Sequence, residues 1–176
     1  MNAKLFLFIN QFAKQNQFLD LIAIIFAKGM PYIFILFEIY LYFILKKKNK
    51  AIFAFYSVIL GLFISYIISL FYFHNRPFMD NLGIMLISHK AETSFPSDHT
   101  TFLFSIAFSF LLFKVKFWKW FLSLALLGGI SRIYVGVHYP YDILGGIFIG
   151  FISAFIIFKY NNKLQNLNDL IIKIFK

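Results

Sequence analysis

Long apolar runs fill most of this chain, and short polar connections separate them. Hydrophobic residues make up 61% of the sequence and charged residues only 14%, whereas soluble domains contain about 25% charged residues. The sequence therefore excludes a soluble globular domain, a disordered tail and a coiled coil. A membrane-spanning helix needs ~20 residues, so 176 residues leave room for about five or six spans. Residues 1–176 are expected to form a single membrane-embedded domain.

The spacing of the apolar residues predicts an all-α integral membrane protein, a bundle of about five transmembrane helices. An amphipathic interfacial helix is expected at each end of the chain, with Asn10 and Lys14 among the polar residues of the first. Residues 18–27 are apolar but too short to span, and Lys28-Gly29-Met30-Pro31 is expected to break that run. The interfacial helices are predicted at 3–14 and 159–176, and the spans at 30–45, 51–73, about 99–113, 117–136 and 140–158.

Lysines predict the orientation in the membrane. Four lie in 46–50, three in 114–119 and four in 159–176, and alternating spans place all eleven on one side. The positive-inside preference makes that side cytoplasmic. The net charge of +10 therefore reflects topology, and no nucleic-acid partner is expected.

The residues suited to chemistry lie at the other side of the predicted bundle. Both arginines of the chain fall there, although positive-inside sorting would place them with the lysines. Two arginines beside histidines indicate a site for an anion. The residues concerned are His74, Arg76, His89, His99, Arg132 and His138. For His74 and His89 alone, the simpler interpretation is an interfacial side chain.

Three segments contribute to this side: His74-Asn75-Arg76-Pro77, Phe95-Pro96-Ser97-Asp98-His99 and the segment from Ser131-Arg132 to Asp142. His138 and Asp142 share a helix face if one helix includes both. An aspartate bonded to one imidazole nitrogen leaves the other nitrogen free as a nucleophile.

Other residues of these segments suit an anionic substrate. Ser97 can cap a helix that begins at Asp98 or His99, and such a helix end presents free N–H groups to an anion. His99 can act as a general acid, and Arg76 and Arg132 offer planar donors to phosphate. Phosphoryl transfer needs mainly positioning and charge stabilisation, so this set requires no metal; a zinc site is the alternative.

Small residues recur at four-residue spacing on two predicted spans, at Gly61, Ser65 and Ser69 and at Gly146 and Gly150. Such residues let helices approach closely in lipid, and packing is their expected role. Glu38 lies inside the first predicted span, where an ionisable residue is costly. It is expected to be protonated or hydrogen-bonded within the bundle, or to line the lipid entry.

The three segments resemble the motifs KxxxxxxRP, PSGH and SRxxxxxHxxxD of the type 2 phosphatidic-acid phosphatase superfamily. The third motif matches in full, and the second has Asp98 in place of glycine. The first keeps Arg76-Pro77 but has Ser69 at the lysine position. The PSDH version, the preceding 91–95 and the small size are similar to the bacterial undecaprenyl-diphosphate phosphatase branch.

The resemblance implies that His138 becomes a phosphohistidine, that Asp142 orients it, and that His99 protonates the leaving group and then activates water. It implies an isoprenoid diphosphate lipid as substrate, no metal or cofactor, and a site at the outer face of a bacterial inner membrane. Arg76, Arg132 and Ser97 would hold the phosphate, Asp98 and Ser131 are auxiliary candidates, and His74 or Lys90 would replace the missing lysine.

Other functions remain open from the sequence. The site could serve a phosphatase for phosphatidylglycerol phosphate or lipid A, or a lipid phosphotransferase. A transporter or channel subunit is a different class, which would need a polar stripe running to the inner face. The polar residues gather at one end, which argues against a conduction path.

Overall fold

The computed structural model describes residues 1–174, and the regular elements within them are all helices. The prediction of an all-α bundle is therefore confirmed. The helices are α1 (Asn2–Asn10), α2 (Gln17–Phe43), α3 (Lys48–Phe71), α4 (Asp98–Leu112), α5 (Trp118–Tyr134) and α6 (Pro140–Ile174).

Three of these helices are long and apolar enough to cross a membrane, namely α2, α3 and α6. The helix α4 is apolar but has only 15 residues, and α5 has 17. Both lie where the third and fourth spans are predicted. Lys50 Nζ donates to the carbonyl oxygen of Lys114 at 3.2 Å, so the first two lysine loops lie side by side.

The predicted break at Lys28–Pro31 is wrong, because α2 is one continuous helix of 27 residues. It begins after Asn16, whose side-chain oxygen accepts hydrogen bonds from the N–H groups of Phe18 and Leu19. Pro31 lies inside the helix. Transmembrane helices tolerate an internal proline when a neighbour satisfies the carbonyl that it leaves free.

The predicted boundary between the last span, ending at 158, and an amphipathic tail helix from 159 is also wrong, and residues 175–176 of that tail lie outside the described residues. α6 runs without interruption for 35 residues, which is ~50 Å at 1.5 Å per residue. The hydrocarbon core is only ~30 Å thick, so the end of α6 extends beyond the apolar run at 140–158. There Asn168 is fully buried, and its Nδ2 lies 3.5 Å from Asn49 Oδ1 of α3.

The N-terminal helix is shorter than predicted, and its Asn10 is buried rather than on a polar face. Asn10 Nδ2 donates to the carbonyl oxygens of Ile84 and Tyr134, both at 2.8 Å. Its Oδ1 accepts from the N–H of Ile84 at 2.6 Å. The side chain thereby joins α1 to the end of α5 and to the loop 72–97.

The predicted packing role of the small residues is confirmed between α4 and α6. A Cβ added at Gly146 would lie 2.9 Å from the carbonyl oxygen of Ser97, and one added at Gly150 would lie 2.9 Å from the carbonyl carbon of Phe104. Only glycine permits this approach, which holds the start of α4 against the start of α6.

Candidate active site

The site lies where α3 and α5 end and where α4 and α6 begin. Backbone hydrogen bonds connect the loops there: Ser94 N–H donates to His74 at 2.7 Å, and Ser97 N–H donates to Asp142 at 3.1 Å. All three segments selected from the sequence therefore meet at one end of the bundle.

His138 and Asp142 form the predicted pair, but they do not lie on one helix. Pro140 begins α6, so Asp142 belongs to its first turn while His138 precedes it in the loop. His138 Nδ1 lies 3.6 Å from Asp142 Oδ2. The same carboxylate oxygen accepts the Tyr139 N–H at 2.7 Å. The turn into the helix, rather than helical spacing, brings the two side chains together.

Ser94 completes this pair, and the sequence interpretation did not select it. It is fully buried, its hydroxyl donates to Asp142 Oδ2, and its oxygen lies 3.3 Å from His138 Nδ1. Ser94 is separated from these residues by 44 and 48 positions. The Thr93-Ser94 hydroxyls just before the PSDH segment were the only available signal.

The other nitrogen of His138 faces an arginine. Arg76 Nη1 lies 3.0 Å from His138 Nε2, and an arginine can only donate. Nε2 is therefore the acceptor, which places the imidazole proton on Nδ1 beside Asp142 and Ser94. Burial lowers the pKa of His138 below its usual value, so the imidazole is neutral with its lone pair on Nε2.

Backbone carbonyls hold Arg76 in place. It donates to the carbonyl oxygens of Val137 at 3.0 Å, Thr93 at 3.1 Å and Glu92 at 3.2 Å. Its Nη2 also lies 3.4 Å from the Glu92 carboxylate, which is largely exposed. Burial lowers the pKa of Arg76. The loop 72–97 and the loop before α6 thus hold the buried positive charge of Arg76 against the candidate nucleophile, His138.

Arg132 supplies the second buried guanidinium. Its Nη1 donates to the carbonyl oxygen of Ala27 at 3.3 Å. Its Nε and Nη2 are buried and find no hydrogen-bond partner among the described residues. Buried donors without partners are costly, and the fork of a guanidinium matches the oxygens of phosphate.

The start of α4 carries the second motif. Ser97 is the N-cap as predicted: its fully buried oxygen accepts from the N–H of Thr100 at 3.4 Å and from the hydroxyl of Thr100 at 3.1 Å. His99 is half-buried in the first turn of α4. The positive charges of Arg132 and Arg76 are close enough to interact with its imidazole ring.

Two histidines of the loop, for which an interfacial side chain was the simpler interpretation, also lie beside the candidate site. His74 Nδ1 lies 3.3 Å from Asp142 Oδ1. The ring centroids of His89 and His138 are 6.2 Å apart. His89 is mostly buried, and this burial, together with the charge of Arg76, lowers its pKa.

The remaining candidates lie at the margin. Asp98 and Lys90 are exposed, and the hydroxyl of Ser131 donates to Leu127 of its own helix at 2.7 Å. Ser69, at the lysine position of the first motif, likewise donates to Tyr66 of its own helix at 2.7 Å. Among the described residues, no group of three or more His, Asp or Glu side chains could hold a metal ion, which gives the zinc alternative no support.

Comparison with protein families matches residues 50–166 to the family described as the PAP2 superfamily. Undecaprenyl-diphosphatase BcrC of Bacillus subtilis (strain 168) is 36% identical over 179 residues, which cover 100% of this chain and 92% of that protein. A Bacillus licheniformis protein named bacitracin transport permease protein BcrC is 33% identical over 177 residues, which cover 97% of this chain and 86% of that protein.

Among solved structures, the crystal structure of Aquifex aeolicus LpxE superimposes with a TM-score of 0.77. The two chains are 30% identical, and the match covers 90% of this chain and 95% of that one. The region matched to the family, residues 50–166, includes all three segments of the site.

Proposed function

This chain belongs to the PAP2 superfamily, and we propose that it is a membrane phosphatase that hydrolyses undecaprenyl diphosphate to undecaprenyl phosphate and inorganic phosphate. Two findings support the substrate: the relative from Bacillus subtilis is named an undecaprenyl-diphosphatase, and its similarity extends over the whole chain. The observation that carries the chemistry is the 3.0 Å contact of Arg76 Nη1 with His138 Nε2.

In this proposal the terminal phosphate of the substrate lies between the two guanidinium groups. Arg76 exchanges its contact with Nε2 for a phosphate oxygen, and the unpartnered Nε and Nη2 of Arg132 donate to others. Ser97 and the backbone N–H groups at the start of α4 add hydrogen-bond donors on a third side of the phosphate. The charge on the phosphate oxygens is then met by fixed, buried donors, which is the main requirement of phosphoryl transfer.

The first step forms a bond from His138 Nε2 to the terminal phosphorus. The bond from that phosphorus to the bridging oxygen breaks, and His99 donates a proton to the oxygen as undecaprenyl phosphate leaves. His138 is then a phosphohistidine, whose Nδ1–H points toward Asp142 and Ser94. These two residues hold the ring and stabilise its positive charge.

The second step consumes water. His99, now neutral, removes a proton from a water molecule whose oxygen attacks the phosphorus of the phosphohistidine. The bond from phosphorus to Nε2 breaks, inorganic phosphate leaves, and both histidines return to their starting protonation states. No metal or cofactor takes part in this sequence.

We further propose that this end of a single multi-pass domain faces the outside of a bacterial cell membrane. The support is the arrangement of charge: the lysine loops lie at the opposite ends of the same helices, and lysines favour the cytoplasmic side. The isoprenoid chain would remain in the bilayer while only the diphosphate enters the site.

Phosphate release from a panel of lipid phosphates in detergent tests the proposal. Undecaprenyl diphosphate is expected to be turned over faster than phosphatidylglycerol phosphate or lipid A, and release to water is expected to exceed transfer to a lipid acceptor. His138→Ala is expected to abolish both turnover and the acid-labile phosphoenzyme. Asn75→Ala, at an exposed residue of the loop 72–97 at the same end of the bundle, is the matched control. Substantial hydrolysis by folded His138→Ala would refute the nucleophile, and preference for another lipid would refute the substrate.

The name of the Bacillus licheniformis relative makes transport the alternative of a different class. Flux of bacitracin across proteoliposomes that contain the protein distinguishes the two. We expect no flux, since the charged and polar residues described above converge at one end of the bundle.

A further inference from the structure

A cavity lies at the end of the bundle opposite the candidate active site. It has a volume of about 450 Å³, within the range of ~300–1,000 Å³ typical of sites for small molecules. The C-terminal part of α2, the beginning of α3 and the end of α6 form its walls. The residues that matter here are Glu38, Tyr42, Ala51, Ile52, Tyr56 and Ile171.

The wall is apolar except for the side chains of Glu38, Tyr42 and Tyr56, and each of them has a buried oxygen without a hydrogen-bond partner among the described residues. Glu38 Oε1, Tyr42 Oη and Tyr56 Oη are each buried without a hydrogen-bond partner among the described residues. Buried polar groups normally have partners, and an ionisable residue inside a transmembrane helix marks a functional site by default. Among residues 1–174, therefore, no side chain or backbone group supplies the hydrogen bond that was one of the expected roles of Glu38.

Positive charge lies at the mouth of this cavity. Lys48 Nζ is 5.1 Å from the centre of the Tyr42 ring. A further recess of about 360 Å³ is lined by residues 46–50 and by Ile172, the neighbour of Ile171. Four of those five loop residues are lysines. Ammonium groups at the loop therefore lie next to a wall that combines apolar side chains with unpartnered polar oxygens.

We propose that this cavity binds one anionic diacyl phospholipid from the membrane leaflet next to the lysine loop 46–50. Such a lipid carries a phosphate for the lysines, ester carbonyls for the unpartnered hydroxyls and hydrocarbon chains for the apolar wall. The phosphate contacts the lysines of residues 46–50, the ester carbonyls accept from the tyrosine hydroxyls and from protonated Glu38, and one acyl chain covers Ala51 and Ile52. An isoprenoid phosphate has no ester carbonyls and would leave these hydroxyls unpartnered.

Native mass spectrometry of the delipidated, detergent-purified protein tests this inference. The probes are dioleoyl phosphatidylglycerol, dioleoyl phosphatidylcholine, dioleoylglycerol and undecaprenyl phosphate. Phosphatidylglycerol is expected to bind tightest. Replacing Lys47 and Lys48 with Gln is expected to weaken its binding by about fivefold or more, while the same change at Lys116 and Lys119, on the other lysine loop, has no effect.

The variant Tyr42→Phe with Tyr56→Phe removes two hydroxyls and keeps both rings. It is expected to lose most phosphatidylglycerol binding, whereas Tyr66→Phe, at an exposed tyrosine of α3, retains it. Phosphatase activity of the double variant reports folding, because the cavity is remote from His138. If the active double variant binds phosphatidylglycerol as tightly as the parent protein does, the proposal is overturned. Equal binding of dioleoylglycerol, or tighter binding of undecaprenyl phosphate, would also overturn it.

Discussion

The carbonyl oxygen of Ala27 accepts a hydrogen bond from Arg132 Nη1 at 3.3 Å. In a regular helix this carbonyl would accept the N–H of the residue four positions later, which is Pro31. Proline has no N–H, so the continuous helix α2 leaves the buried carbonyl of Ala27 free to accept from the guanidinium of Arg132. The residue that seemed to break a helix thus serves as a positioning residue for Arg132.

Pro31→Ala is therefore expected to separate stability from activity. The new N–H competes for the Ala27 carbonyl, so Arg132 loses part of its support, and kcat/KM for the lipid diphosphate is expected to fall about threefold to tenfold. The helix gains a hydrogen bond and a better helix former, so the thermal midpoint in detergent is expected to rise. Steady-state kinetics and a melting curve on the same preparation measure both effects.

Gly29→Ala is the matched control for this change. It also improves helix propensity in α2, and its new methyl group meets only Ile25 Cγ2 at 3.9 Å. It is expected to leave kcat/KM unchanged. Full activity in Pro31→Ala, or an equal loss in Gly29→Ala, would show that the free carbonyl does not position Arg132.

Sequence patterns predicted which residues meet but not how they are held. The five-residue and three-residue gaps around His138 place Arg132 and Asp142 at the same end of the bundle as His138, because these two residues lie at the ends of helices that periodicity locates well. The contact of Ser94 with Asp142 depends on the path of the loop 72–97. That path is set by long-range bonds such as Ser94 N–H to His74, which no local pattern records.

Local helix propensity and polarity gave wrong predictions where the bilayer or distant parts of the chain determine the structure. A proline such as Pro31 usually terminates a helix in water, but a bilayer favours continuous helices because unpaired backbone groups are costly there. Asn10 seemed to face the interface, yet its amide satisfies three backbone groups at the end of the bundle. In both cases the partner is more than 70 residues away in sequence.

Ser94→Ala tests whether the added serine matters to the pair. The change removes a donor from the buried Asp142 carboxylate, and a hydrogen bond to a charged group contributes ~1.5–3 kcal/mol. We expect kcat to fall about tenfold to a hundredfold with little change in KM, because the lost contact supports the nucleophile rather than the phosphate. Ser57→Ala removes an equally buried hydroxyl in α3 and is expected to keep kcat. Similar losses in both variants would indicate a general effect on folding.

The pH dependence of phosphoenzyme formation follows from the buried nucleophile. Desolvation lowers the pKa of His138, and the charges of Arg132 and Arg76 act in the same direction, against Asp142. The imidazole gains a proton, and loses its nucleophilic lone pair, only as the pH falls through this lowered value. The single-turnover rate is therefore expected not to decline as the pH falls from about 7 to 6, through the ordinary histidine pKa of ~6.5, and protonation of His99, the general acid, can only raise it over this range. A decline centred at that ordinary value, reversible on return to neutral pH, would contradict a buried neutral His138.

Gly150→Ala probes the contact of α4 with α6, on which the placement of Ser97 and His99 depends. The added methyl carbon would lie 2.9 Å from both the carbonyl carbon of Phe104 and the nitrogen of Ser105, so the two helix backbones must separate. Overpacking of this kind costs ~1–3 kcal/mol, and alanine returns only ~1 kcal/mol of helix propensity. We expect a lower thermal midpoint and reduced kcat, since α4 carries the general acid. Gly29→Ala, which gains the same propensity without a clash, is expected to melt no lower than the parent. If Gly150→Ala has the same thermal midpoint as Gly29→Ala and keeps full activity, the backbones of α4 and α6 are not in contact at this position.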